Sequence, residues 1–252
     1  MLSSAWLIPR MPLNRSKTSK TSVVLVLNGS ISKTQLQSEL AHSNNFIICA
    51  DGAAEHVLAL GFMPDLVVGD LDSLNSENQQ TLTDAGVRFL KTSPHKDETD
   101  GELALQATLA RNPEKLTIFG MDGGRFDMIY VNLGLLLTAE LTLQPVEVEC
   151  YFEDESCGVL LTSKTPFNRE CKANGTISLL ALTDEVEVTE LSGTHWLIKN
   201  ERILRSSART VSNRVKSKRV EASETSTDKT VVRCVIESGR ALLVIAKVSG
   251  DQ

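Results

Sequence analysis

The chain has 252 residues, 41% of them hydrophobic and 23% charged, proportions that exclude a disordered or low-complexity chain. No apolar run reaches the roughly 18 residues of a membrane span. The five cysteines (Cys49, Cys150, Cys157, Cys171, Cys234) are scattered without a C-x-x-C pair, which excludes a disulfide framework or zinc cluster and fits a reducing cytoplasm.

The net charge of −6 is uneven: +4 over residues 1–22, −11 over 23–152 and +1 over 153–252. The tail over 1–22 is basic, Ser-rich and free of acid. It resembles a short organellar presequence in composition, although a disordered extension with the start at Met11 explains it more simply. A stretch at −11 does not attract nucleic acid, but it suits a phosphate ligand bridged by divalent cations.

From Val23 to Phe152, short β-branched runs alternate with helical patterns. Strands are expected at Val23–Leu27, Phe46–Ala50, Leu66–Val68, Val87–Leu90, Leu116–Phe119 and Val146–Phe152. Helices are expected at Ala53–Leu60, where Gly61 and Pro64 give a stop signal, and at Gly101–Ala110 and Phe126–Ala139. This alternation predicts an open, mostly parallel α/β/α sheet.

Beyond a boundary near Glu153–Cys157, helical periodicity is lost. Strand-like runs at Gly158–Ser163, Ile177–Leu182, Val186–Glu190, Trp196–Ile198, Val231–Ile236 and Ala241–Val248 predict an antiparallel β-sandwich. The polar Ser217–Lys229 reads as a mobile loop. The eight bases between Lys199 and Arg219 read as a solvated face, a counterweight to the acidic first domain or a surface that meets a nucleic acid.

Polar residues cluster where each strand of the first domain ends, and ligands of open α/β sheets bind at that edge. Asp51-Gly52 follows the second strand and Gly69-Asp70-Leu71-Asp72-Ser73 the third. Lys96-Asp97-Glu98-Thr99-Asp100 follows the fourth, and Gly123-Gly124-Arg125-Phe126-Asp127 the fifth. In extended chain, Asp70 and Asp72 would point the same way, and two such carboxylates repel unless a cation such as Mg²⁺ lies between them. Thr99 and Glu102 form a capping-box pattern, but Asp97 and Asp100 go beyond it, as a further metal ligand or a base. The glycines before Arg125 let backbone approach a phosphate, which a helix N-terminus favours. Arg125 offers a bidentate fork that Asp127 would orient. Trp196 is core filler or a flat surface for a planar cation.

Taken together, these stretches resemble the thiamine pyrophosphokinase family. Ala50-Asp51-Gly52-Ala53-Ala54, Pro64–Ser73, Lys96–Asp100 and Gly123–Asp127 occur in the family's order and at similar spacing. Gly193-Thr194-His195-Trp196 resembles its G-L-K-W stretch, and Val211-Ser212-Asn213 its later S-N pair. The resemblance implies a nucleotide-binding catalytic domain over 23–152 and a thiamine-binding β-sandwich over 153–252. It implies a homodimer with sites at the subunit interface, and transfer of a diphosphoryl group from Mg-ATP to thiamine. Asp70, Asp72 and Asp100 would then serve Mg²⁺, and with Arg125 the reacting phosphates. Asp51, Asp97, Thr99, Asp127, Trp196, Ser212 and Asn213 would line the substrate site. Met128 departs from the His or Gln the family often carries there, and Met neither donates a hydrogen bond nor exchanges a proton.

Two other readings compete. Phosphatases of the haloacid dehalogenase type also carry D-x-D after a strand, with the first Asp as nucleophile, but after the domain's first strand rather than its third. A non-catalytic protein that binds nucleotide or thiamine is the other.

Overall fold

The computed structural model describes residues 22–138, 141, 145–217 and 229–247. The basic tail over 1–21 and most of Ser217–Lys229 lie outside the described residues. The chain divides into two compact units, one holding the residues up to Asn28 together with Leu36–Thr117, the other Gly29–Gln35 together with Ile118 onward.

In the first unit, β1 (Ser22–Val26), β2 (Asn45–Ala50), β3 (Leu66–Gly69) and β4 (Arg88–Lys91) pair in that order, all parallel. Val23 to Val26 are fully buried, the near-continuous apolar run of a strand covered on both faces. Each such side chain contributes about 1.5–3 kcal/mol through burial. A 3-10 turn at Asp51–Ala53 leads into α2 (Ala54–Ala59), and α4 (Asp100–Leu109) packs on β1, β2 and β3.

Two helices here carry no periodic signal. α1 (Lys33–Leu40), whose first three residues belong to the second unit, buries only Leu36 and Leu40. α3 (Ser76–Asp84) buries only Leu82 and begins at an N-cap, Asn75, whose side chain accepts from Asn78 N at 2.8 Å. Their other faces are polar, so the pattern a core-facing helix shows is missing.

β5 (Lys115–Phe119) and α5 (Phe126–Leu135) follow. The second unit then forms the expected β-sandwich. One sheet runs β12 (Asn213–Arg214), β9 (Thr176–Ala181), β14 (Ala241–Ile245), β7 (Cys157–Leu161), β6 (Glu147–Tyr151), each pair antiparallel. The other is β11 (Ile198–Leu204), β10 (Glu185–Ser192), β13 (Lys229–Ser238), β8 (Phe167–Lys172), also antiparallel. Leu161, Ile177 and Leu243 from one sheet meet Phe167, Val188 and Val232 from the other in a single core.

The strand expected at Trp196–Ile198 instead begins at Ile198 and runs on through the polar Lys199–Arg202. Only Ile198 and Ile203 of β11 are buried, too sparse an alternation to read. The five cysteines are free. No helix among the described residues is long and apolar enough to cross a membrane.

Candidate active site

The first unit gathers three carboxylates. Asp51, Asp70 and Asp100 each offer an oxygen, and the three oxygens lie within 4.8 Å of one another. Asp51 follows β2, Asp70 follows β3 and Asp100 opens α4, so the strand ends of a parallel sheet deliver them.

Backbone geometry makes the gathering possible. Asp51 sits at φ 42, a left-handed conformation that Asp tolerates better than most residues. A Cβ added at Gly69 would lie 2.7 Å from Asp51 Cβ and 3.2 Å from Asp100 Oδ1. Glycine at 69 is therefore a condition of the cluster.

Asp51 is 3% exposed. Ser73 N donates to its Oδ2 at 3.2 Å, while its Oδ1 is buried without a hydrogen-bond partner. Lys96 Nζ donates to Asp100 Oδ1 at 2.6 Å and to Thr92 Oγ1 at 2.8 Å. One ammonium thus pairs with one of the three carboxylates, and a buried oxygen of another lacks a donor. This hard, all-oxygen donor set fits Mg²⁺, which takes one or two carboxylates and retains waters or phosphate oxygens.

Asp72 is not part of this group. Leu71 at φ 68 breaks the extended backbone, so the same-side placement of Asp70 and Asp72 expected from their i, i+2 spacing is lost. Asp72 Oδ1 instead accepts from Ser73 Oγ at 3.1 Å, and its backbone N–H donates to Asp70 Oδ1 at 3.3 Å. Thr99 is the N-cap of α4, its Oγ1 accepting from Glu102 N at 3.1 Å. Asp97 is exposed on the loop before it.

In the second unit, Gly123 at φ 84 packs on the loop after β1: a Cβ there would lie 1.9 Å from Ser30 Oγ. The loop is further tied by Ser30 N donating to Asp122 O at 2.7 Å. Arg125 is the N-cap of α5. Its Nη2 and Nε meet Asp127 Oδ2 and Oδ1 at 2.5 and 3.1 Å. That fork holds the Asp127 carboxyl below its ordinary range and raises Arg125. Both side chains are mostly exposed, so the pair positions the guanidinium and contributes little stability. Met128 spends its backbone N–H on Arg125 O.

Trp196 is 59% exposed, and the core role open to it in the sequence is excluded. Asn213, buried, fixes the backbone beneath it. Asn213 Oδ1 accepts from Trp196 N at 3.1 Å, and Asn213 Nδ2 donates to Trp196 O at 2.7 Å. Ser212 at φ 60 donates its N–H to Ser178 Oγ. Trp196 and Asn213 therefore form one local structure, 17 residues apart in sequence.

Comparison with known proteins decides the family. A family model described as "Thiamin pyrophosphokinase, catalytic domain" matches residues 37–148, and a second, "Thiamin pyrophosphokinase, vitamin B1 binding domain", matches 164–231. The two together span well over half of the sequence. The chain belongs to the thiamin pyrophosphokinase family. Thiamine pyrophosphokinase of Bacillus subtilis (strain 168) is 25% identical over 167 residues, covering 66% of this chain and 76% of that protein. Thiamine pyrophosphokinase 1 of Oryza sativa subsp. japonica is 24% identical over 140 residues, covering 47% of this chain and 50% of its own. The crystal structure of the Bacillus subtilis protein has a TM-score of 0.72 at 20% identity, covering 90% of this chain and 100% of that chain. Thiamin pyrophosphokinase from Candida albicans has a TM-score of 0.71 at 15% identity, covering 90% of each.

Within the catalytic-domain match of the thiamin pyrophosphokinase family fall Asp51, Asp70, Asp72, Asp100, Arg125 and Asp127. Trp196, Ser212 and Asn213 fall within the vitamin B1 binding match. Sequence reasoning gave Asp51 a substrate role and Lys96 none, whereas in the fold both belong to the carboxylate cluster. The signal for Lys96 was its i, i+4 spacing to Asp100, half-hidden because α4 starts only at Asp100.

Proposed function

We propose that this chain is a thiamine diphosphokinase, transferring the terminal diphosphoryl group of ATP to the thiamine hydroxyl and releasing AMP. The observation that carries the reading is the Asp51–Asp70–Asp100 cluster, with its buried, unpartnered Asp51 oxygen. These three residues would hold Mg²⁺, which when bound offsets the negative charge of the phosphate oxygens. Diphosphoryl transfer depends on positioning and charge neutralisation more than on covalent help. The thiamine hydroxyl oxygen forms a bond to the β-phosphorus, the bond to the α-phosphate bridging oxygen breaks, and AMP leaves. The hydroxyl proton passes to a carboxylate, and Asp100 is our choice. Arg125, held by Asp127, offers two N–H donors to phosphate oxygens. The exposed face of Trp196 suits the planar, cationic thiamine, with Ser212 and Asn213 beside it, while Asp72, Asp97 and Thr99 complete the proposed substrate site.

We assign catalysis to residues 23–152 and thiamine binding to 153–252, in a cytoplasmic homodimer. The apolar face of α5 supports the dimer: Phe126 is 79% and Tyr130 62% exposed, and neighbouring exposed apolar side chains of this size are a mark of interaction surfaces.

The test is product analysis with Mg-ATP and thiamine. Thiamine-dependent AMP together with thiamine diphosphate is expected. ADP with a monophosphate would replace the proposed reaction with single phosphoryl transfer. Absence of turnover, with thiamine still quenching Trp fluorescence, would make this a binding protein.

A further inference from the structure

A second charged constellation lies in the same unit at the opposite ends of the strands. Phe46 opens the apolar part of β2, Arg88 is the first residue of β4, and Arg111 follows the end of α4. The Arg111 guanidinium carbon sits 3.3 Å from the Phe46 ring centroid and that of Arg88 5.5 Å from the same centroid. Stacking on a ring face accounts for one cation. Two cations on one ring repel, and Asp65 is an acid that bears on Arg111. Asp65 is itself engaged, its Oδ2 accepting from Ile47 N at 2.8 Å.

Two further observations point to a ligand. Arg111 Nε is buried without a hydrogen-bond partner, a costly state for a charged donor. Arg88, which shares the Phe46 ring with Arg111, lines a cavity of about 320 Å³ together with Met63, Asp65, Gly86 and Val87. A Cβ placed on Gly86 would meet nothing within 4 Å. Burial, then the Arg88 charge, weaken the hold of Arg111 on its proton, against the pull of Asp65. An anion would relieve both.

We propose that Arg88 and Arg111 form an oxyanion site for a phosphate group, remote from the carboxylate cluster. One guanidinium fork saturates a planar carboxylate, as the Arg125–Asp127 pair illustrates. Two guanidinium groups on one ring, one of them lining an open cavity, suit the additional oxygens of a tetrahedral phosphate. The phosphate comes either from the free ion or from a small phosphomonoester.

The test is an NMR titration of the full chain, following the Gly86 and Val87 amides and the Arg111 Nε–H, at constant ionic strength. Inorganic phosphate is one arm, AMP the second and chloride the reference. Saturable shifts of these three signals with phosphate or AMP, absent with chloride, are expected. The tighter arm identifies the source. In Arg88→Gln, a change at an exposed position, the affinity falls by about tenfold, the loss of a charge-assisted hydrogen bond. Arg111→Lys, which keeps the charge but not the fork, weakens binding as well. Equal shifts with chloride, no saturation, or an affinity unchanged in Arg88→Gln would each overturn the site.

Discussion

A buried carboxylate with one oxygen lacking a donor costs free energy until a cation arrives, and Asp51 Oδ1 is in that position. Asp51→Asn removes one of three mutually repelling charges and keeps the shape, so the fold persists. Turnover falls by at least about 100-fold, and with it goes any rise in Tm on adding Mg²⁺. Asp72→Asn should lower turnover less and leave the Mg²⁺-dependent rise in Tm intact, because its carboxylate accepts from Ser73 Oγ outside the cluster. Steady-state AMP release and thermal melts with and without Mg²⁺ check both variants. Equal losses would return the metal to the D-x-D pair. The sequence makes Asp70 and Asp100 readable as ligands because Asp70 directly follows a strand and Asp100 opens a helix behind a capping-box pattern. It cannot reveal that Leu71 turns left-handed and withdraws Asp72, since Leu carries no such preference.

Helix α4 shows how an element delivers a residue to the site. Thr99 caps it with extended backbone (φ −74, ψ 157) and a side-chain acceptor for Glu102 N, and this fixes where Asp100 begins the helix. Thr99→Ala should destabilise the protein by about 1 kcal/mol. Thr99→Ser should restore most of that in urea melts. If Thr99→Ala loses activity in proportion to stability, and Thr99→Ser recovers both, the hydroxyl acts as a cap. If Thr99→Ser recovers stability alone, the methyl group contributes to the substrate site. This cap was legible because T-x-x-E precedes an apolar run. The elements that were not legible share one physical cause. α3 buries a single leucine, and β8 and β11 bury two residues each, with polar residues between. Tertiary pairing with β13 and β10, rather than local pattern, makes β8 and β11 strands.

At the scale of the whole molecule, the proposed assembly rests on α5. Phe126, Tyr130 and Gly134 recur at i, i+4 and i+8, with Leu137 beyond, and all four are exposed. A Cβ at Gly134 would meet nothing within 4 Å, so the middle of the stripe is open to close approach by another surface. The opposite side of the helix is anchored independently, through buried Asn132 donating to Met121 O at 3.0 Å and through Leu135. A charge placed on the exposed stripe is therefore solvated in a monomer and costs that form little. In a dimer that covers the stripe, the same charge is buried without a partner, at about 3–5 kcal/mol, which weakens association by more than about 100-fold. Wild-type protein should sediment at twice the 27.5 kDa of the chain. Tyr130→Glu should shift it to the single-chain mass with an unchanged circular dichroism spectrum. A wild-type monomer would remove the dimer from the proposed function. A Tyr130→Glu dimer of undiminished affinity would move the interface off α5 to another face.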